Sequence, residues 1–300
     1  MRDLRSIALY TDLVSDLPRP FFEGLVDYLA HAMGVHVSLV VAEGDDPGLD
    51  PFSAGRADIG LLRSPSLLRW WGCEQAPLVL LPVAPVFRDP RAQGKPVYFA
   101  EVVVRGSHPA QSFWDLRGCI WGYSRPGSLT SHVSVIKKLA ELEEDERFFR
   151  SQRCSGSHRQ SLRLLREGEV DAVAVDSNVL ILARRRNPEL RHELRVLESW
   201  GPLPIQPVVA REDLPLEVRQ DVVRHFCRMG SLPVGRELLD DVWMSGFVPC
   251  DEEPYQQMRR SLRDLGLAPA TSDWMAGERA GVGGEERFST RLRYFLHSLF

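Results

Sequence analysis

The sequence lacks the signatures of several protein classes. Its five cysteines, Cys73, Cys119, Cys154, Cys227 and Cys250, are scattered and never form a Cys-x-x-Cys pair. That excludes a zinc ribbon or a thioredoxin-like motif and argues for reduced thiols rather than a disulfide framework. Neither Gly-x-Ser-x-Gly nor Gly-x-Gly-x-x-Gly occurs, so no nucleophile elbow and no dinucleotide fingerprint is present. No metal-ligand cluster is visible, and neither a metal nor a cofactor is expected. A basic excess is missing too: 37 Lys and Arg face 41 Asp and Glu, with a pI near 6.1, which disfavours nucleic acid as a partner. Lysine itself is reduced to Lys95, Lys137 and Lys138. No apolar run approaches the roughly 18 residues of a membrane span, and the stretch from 78 to 87 is broken by Pro82 and Pro85. No membrane insertion is expected. The first residues read as a strand rather than as a leader or a lipid-anchor segment. As written, the chain is expected in the cytoplasm, or in the periplasm if a leader has been removed beforehand.

What is present is an ordinary globular composition, 44% hydrophobic and 26% charged over 300 residues, long enough for two lobes. The pattern alternates. Strands are predicted at 6–10, 35–41, 58–62, 79–87, 98–104, 119–122, 170–175, 194–199 and 208–210, the β-branched and apolar runs. Helices are predicted at 20–33, where Pro20 suits a first turn, and at 64–72, 133–144, 162–167, 179–186, 215–229 and 236–242. Such alternation implies an α/β fold with mixed, mostly parallel sheets. Turn residues flank the segments near Tyr98 and Gly201. They predict two crossings between an outer lobe, 1–97 plus 207–250, and an inserted lobe, 98–206. Residues 251–300 read as a C-terminal helical segment on the first lobe. It carries a flexible stretch at 268–288 and a last helix docking through Leu292, Phe295 and Leu299. Trp70, Trp71, Trp114 and Trp121 are expected in the core, and Cys154 is expected as a small buried residue at a strand end.

Two polar turns stand out. Ser124-Arg125-Pro126-Gly127-Ser128-Leu129-Thr130-Ser131-His132 precedes one helical pattern, and Ser155-Gly156-Ser157-His158 precedes another. A helix start has unpaired N–H groups and partial positive charge. Hydroxyls and a histidine placed there suit an oxyanion. The same spacing equally fits Ser128 and Ser157 as plain N-caps. Asp176, closing an apolar strand, either bonds a ligand or caps the next helix. Glu101, in an otherwise apolar strand, either reaches a ligand or pairs with Arg105 or another arginine. His132, near a helix start, is expected to have a lowered pKa through the helix dipole.

Taken in order, Ala57-Asp58-Ile59-Gly60, Tyr98 to Val104, Phe113 to Gly118, the serine turn, Ser155 to His158, Gly168 to Ala174 and Gly246-Phe247-Val248-Pro249 followed by Tyr255 carry a likeness over about residues 5–262. In these pieces the chain resembles the phosphonate-type substrate-binding proteins of ABC transporters. The resemblance implies a two-lobed type 2 periplasmic-binding-protein-like fold with two crossover strands and a central cleft. It implies ligand contacts from Ser128, the Leu129 N–H, Thr130, Ser131, His158 and the aromatic Tyr98. Tyr10, Arg63, Asp176 and Gln206 complete the candidate set. The family's Ser-Thr-Ser-Gly run is here Ser128-Leu129-Thr130-Ser131. Leu62 followed by Arg63 stands where relatives have an aromatic, and Gln206 stands where aminoalkylphosphonate binders have an acid. An ammonium without that acid would be costly to bury, so the ligand is expected to lack an amine. Arg63 either clamps a second anionic group or is a solvated residue at a helix start.

Two functions follow. One is a solute-binding or sensor protein that closes on a phosphonate, phosphate ester or related anionic metabolite and signals to a transporter or signalling partner. The other is an enzyme of the same fold, with lyase or dehydratase-type acid–base chemistry from His158, Asp176 and Glu101.

Overall fold

The computed structural model describes residues 6–42, 51–64, 66–67 and 78–264. The elements in chain order are β1 (Ser6–Thr11), α1 (Arg19–Met33), β2 (His36–Val41), β3 (Ile59–Leu61), β4 (Leu78–Leu80), β5 (Val83–Phe87) and β6 (Val97–Arg105). There follow β7 (Ile120–Tyr123), α2 (Ser134–Glu141), β8 (Ser151–Cys154), α3 (His158–Glu167), β9 (Ala172–Asp176), α4 (Ser177–Arg186), α5 (Leu190–Glu193) and β10 (Leu194–Pro204). The described chain ends with β11 (Val208–Arg211), α6 (Leu216–Met229), α7 (Pro233–Asp241), β12 (Met244–Pro249) and α8 (Glu253–Asp264). Two compact units divide at Val97/Tyr98, at Leu203/Pro204 and at Tyr255/Gln256, so that most of α8 groups with unit 2.

Unit 1 holds a five-stranded sheet in the order β2-β1-β3-β11-β4. β1 runs parallel to β2 and β3, and β11 returns antiparallel between β3 and β4. Helix α1 forms because Phe21, Phe22, Leu25, Val26 and Leu29 share one buried face while Pro lies in its first turn. It stops at Gly34, whose φ of +66° suits glycine and lets its N–H cap the Ala30 carbonyl. The apolar run expected as one strand over 79–87 is two strands in different sheets. The chain breaks at Pro82, and β5 pairs with β12 instead.

Unit 2 holds the order β10-β6-β9-β7-β8. β7, β8 and β9 are parallel to one another, and β6 is antiparallel to β9. The sheet is therefore less uniformly parallel than the alternation suggested. Its two faces carry separate cores because alternate residues of β6 point to opposite sides. Val102 and Val104 pack with Phe113, Trp121, Phe148 and Phe149, while Val103 packs with Leu165, Leu180 and Leu194. β10 extends past the expected end at Ser199 and through the proline-bearing crossing to Pro204. β12 is an element the hydrophobic pattern does not announce, and α8 falls within the helical segment expected from residue 251.

Trp121 is fully buried as expected, but Trp114 is 49% exposed, with the Arg117 guanidinium 4.7 Å above its ring. Cys154 ends β8 as expected yet is exposed rather than buried, because the β8 burial alternates only weakly at this edge strand. Trp70, Trp71, most of the helix expected at 64–72, and the segments expected at 268–288 and 287–300 lie outside the described residues. No helix among the described residues is long and apolar enough to cross a membrane.

Candidate functional site

Topology gathers one set of polar groups on one edge of the unit 2 sheet. β7, β8 and β9 are parallel, so the residues after Tyr123, Cys154 and Asp176 emerge at the same carboxyl edge, where open α/β sheets bind ligands. β6 runs the other way, and Ala100 pairs with Asp176, so Tyr98 lies at that edge too. The edge thus collects Tyr98, the Ser124–His132 turn, the Ser155–His158 turn and Asp176.

The first turn enters a short π-helix, Leu129–Val133, before α2; such widened turns recur at functional sites. The Ser128 hydroxyl accepts from the Ser131 N–H at 3.2 Å, as an N-cap does. The Ser131 hydroxyl is fully buried. It accepts from the Ser124 N–H at 2.9 Å and shares a 2.8 Å hydrogen bond with the Ser124 hydroxyl. It therefore braces the turn from inside. Thr130 donates to the Tyr98 phenol oxygen at 3.1 Å. The Leu129 and Thr130 N–H groups head the helical turn, where the helix itself supplies no acceptor.

His132 stacks beside Tyr123 at 5.7 Å, and its Nδ1 accepts from the Gly127 N–H at 3.1 Å. Burial pushes its pKa down to about 4. The sequence pointed to a lowered value through the helix dipole; the direction agrees, and desolvation is the cause.

In the second turn the Ser157 hydroxyl caps α3 by accepting from Gln160 N–H at 3.1 Å. His158 is the first residue of that helix and is buried. Ser155 donates to the Tyr123 carbonyl, both through its N–H at 2.8 Å and through its hydroxyl at 3.1 Å, which ties this turn to the end of β7. Arg125 adds a bond from its Nε to the Gly156 carbonyl at 2.6 Å.

Asp176 accepts from the Asn178 N–H at 2.7 Å and caps α4. Asn178 is a residue the sequence reading did not single out. Its side chain is buried, at 4% exposure, and neither end of its amide has a hydrogen-bond partner among the described residues. Buried amides are normally satisfied, so this one is unusual. The available signal was the abrupt polar triplet Asp176-Ser177-Asn178 after a wholly apolar strand.

Glu101 lies one residue inside this edge, opposite Val175 of β9. It shares the Val103 side of β6, opposite Tyr98, Ala100 and Val102. It is buried there, and its charge acts on Arg184 of α4. Burial lowers the Arg184 pKa and Glu101 partly offsets that. Arg105, the partner first considered for Glu101, pairs with Asp171 at 3.2 Å.

Unit 1 carries the other candidates, also at the carboxyl edge of its parallel strands. Tyr10 is buried edge-on against Phe52, with ring centres 5.9 Å apart. Gln206 precedes β11 at the same edge, where the neighbouring Pro207 carbonyl accepts from Leu62 N–H at 3.1 Å. Arg63 is not a solvated residue. Its guanidinium bonds Asp16 Oδ2 through Nε at 3.3 Å and the Ser15 hydroxyl through Nη2, while its N–H donates to Asp12 Oδ1 at 2.8 Å. Burial lowers the Arg63 pKa, but the charges of Asp12 and Asp16 outweigh this and leave it raised. One face of the guanidinium is thus committed to carboxylates within unit 1. Of the group considered for acid–base chemistry, His158 and Asp176 lie at the edge, and Glu101 lies one residue inside it on the side where α3 and α4 pack.

The described residues hold no cluster of His, Cys, Asp and Glu suited to a metal ion. Two units, each an α/β sheet with polar loops gathered at one edge, define the type 2 periplasmic-binding fold. Solved structures of that class align along most of the chain. The binding protein component of an ABC phosphonate transporter from Pseudomonas aeruginosa aligns with a TM-score of 0.73 at 15% identity, over 99% of this chain and 98% of that one. PhnD1 from Prochlorococcus marinus, in complex with methylphosphonate, aligns with a TM-score of 0.72 at 15% identity, over 88% and 100%. A Xanthomonas citri protein bound to ATP aligns with a TM-score of 0.65 at 14% identity, over 88% and 99%. A search of curated proteins gave no match. The family model described as "ABC transporter, phosphonate, periplasmic substrate-binding protein" matches residues 19–255. The chain belongs to this family of substrate-binding proteins.

Proposed function

We propose that this protein binds a small phosphorus oxyanion, a phosphonate or phosphate ester, and delivers it to an ABC transporter. The observation that carries the reading is the convergence of two hydroxyl-lined helix starts, at Ser128 and at Ser157-His158, on one edge of the unit 2 sheet. N–H groups at a helix start donate to an oxyanion without a competing intrahelical acceptor. The Ser128 hydroxyl adds a neutral hydrogen bond and His158 adds a further kind of donor. The methylphosphonate in the Prochlorococcus marinus relative favours this chemistry. The family's periplasmic description favours a role outside the cytoplasm. Within the site the Ser128 hydroxyl, the Leu129 and Thr130 N–H groups and His158 are the proposed oxyanion contacts, and Ser131 supports the turn.

The organic part of the ligand is proposed to be uncharged and polar. Asn178, a buried amide with a donor and an acceptor both unused among the described residues, suits a hydroxyl or a carbonyl. An ammonium would find no carboxylate at Gln206.

A thermal-shift screen tests this directly, using phosphate, phosphite, methylphosphonate, hydroxy- and aminoalkylphosphonates and small dicarboxylates against the wild type, Ser128→Ala and His158→Ala. A ligand at about 100 times its Kd adds about 2.7 kcal/mol of stability. The expected result is a rise in Tm for phosphonates in the wild type that both variants lose. A rise only with dicarboxylates would overturn the phosphorus-oxyanion reading.

A further inference from the structure

We propose that Arg125 is a positioning residue of the oxyanion site: it locks the second polar turn onto the first, so that His158 and Ser128 act on one ligand. The inference rests on the binding function proposed above. Arg125 sits in the first turn, between Ser124 and Pro126, and its Nε donates to the carbonyl of Gly156 at 2.6 Å. A guanidinium-to-carbonyl bond is charge-assisted and stronger than a neutral one. Other ties run through Ser155 and Cys154, and the Ser155 hydroxyl also bonds the Ser157 carbonyl at 3.0 Å. Ser155 bonds the Tyr123 carbonyl through its N–H and its hydroxyl, and the Cys154 thiol points to the Ser124 carbonyl at 3.6 Å. Arg125 adds a side chain of the first turn itself, bonded to the Gly156 peptide that leads directly into Ser157 and His158.

That peptide needs holding. Gly156 has φ of +86°, and a Cβ built there would meet nothing within 4 Å. Glycine in open space is free to leave a left-handed conformation, and the direction in which His158 enters α3 follows from it. The Ser157 cap fixes the helix start relative to its own helix. The Arg125 bond fixes it relative to the Ser128 turn. Arginine is suited to this because its planar fork loses little freedom on docking, unlike a lysine ammonium.

The test is methylphosphonate affinity by calorimetry for Arg125→Ala, Arg125→Gln and Arg125→Lys, each made in the wild type, in His158→Ala and in Ser128→Ala. Loss of one charge-assisted bond weakens binding about tenfold in the wild type. The same loss is expected in Ser128→Ala, but less than about twofold in His158→Ala, because the contact that Arg125 aims is then gone. Arg125→Lys should recover part of the affinity. A general loosening of the fold would lower affinity by the same factor in every background and would overturn the proposal, as would wild-type affinity in Arg125→Ala. Should Arg125→Ala fail to fold, Arg125→Gln and Arg125→Lys carry the same comparison. Failure of the wild type to bind methylphosphonate or phosphate would overturn the oxyanion reading and this inference with it. Binding by the wild type with unchanged Arg125 variants would overturn the inference alone.

Discussion

The Thr130 hydroxyl donates to the phenol oxygen of Tyr98 at 3.1 Å, joining the helical turn to the first strand of unit 2. Both side chains are buried. The bond fixes where the Thr130 hydroxyl points and leaves its lone pairs, not its proton, for any further contact. Removing one partner leaves the other polar group buried without it, which costs about 1–3 kcal/mol. Thr130→Val and Tyr98→Phe are each expected to lower the urea midpoint. The double variant should lose less than the sum, by about 1 kcal/mol. Strict additivity would mean that the two hydroxyls do not interact in solution.

Asn178 gives an opposite expectation. Its amide is buried with both ends unpaired among the described residues. Replacing an unsatisfied buried polar group by an apolar one of similar shape is neutral or stabilising. Asn178→Leu should therefore keep or raise the unfolding free energy in urea, by up to about 2 kcal/mol, while weakening ligand affinity severalfold or more. That is the usual exchange between stability and function at a binding residue. A variant that binds as tightly as the wild type would remove Asn178 from the site.

His132 sets a pH dependence. Its folded pKa is depressed to about 4, against about 6.5 unfolded. Between these values the unfolded state binds more protons, so stability from this group is complete above about pH 6.5. It falls as the pH drops toward 4 and levels off below. The full difference is as much as about 3 kcal/mol. His132→Gln should flatten the change in urea midpoint between pH 7 and pH 4.5 relative to the wild type. An identical slope in both proteins would show that His132 titrates normally.

The Arg63 guanidinium pairs with Asp16 in unit 1, at side-chain exposures of 18% and 10%, while its backbone N–H bonds Asp12. Arg63→Met leaves Asp16 without its ion-pair partner, and breaking such a pair costs about 3 kcal/mol. Arg63→Lys should return part of that loss by restoring the charge. Chemical denaturation of the three proteins at pH 7 measures this. A lysine variant as unstable as the methionine variant would make the loss one of packing and geometry rather than charge.

Much of the fold is legible from residue pattern alone. β1, β6 and β9 follow from β-branched and apolar runs, and α1 follows from a 3.6-residue apolar stripe behind a proline. What escapes is decided by partners far away in sequence. β12 pairs with β5, more than 150 residues earlier, and Gly246 and Pro249 mask its strand character. The site behaves similarly. The hydroxyl-rich turn at Ser128 is visible as composition, but hydroxyl roles are not. Ser131 turns inward because Ser124, seven residues before it, offers both a donor and an acceptor. Glu101 is an ordinary strand residue to the eye, and only the pleat decides that it lies on the Arg184 side of the sheet. Asn178 carries no motif at all; its significance is that its burial is uncompensated.

The place of β11 in the unit 1 sheet has a consequence for synthesis. That strand fills the gap between β3 and β4, yet it is encoded after the whole of unit 2. An emerging chain of about 100 residues therefore carries β3 and β4 with the strand that joins them still unmade. Both present unpaired edges until residue 211 leaves the ribosome. Unit 2, whose sheet comes almost wholly from the segment Tyr98 to Leu203, has all five of its strands before then. The inserted unit can complete its sheet first, and the amino-terminal unit, although begun earlier, is finished by the strand that returns to it.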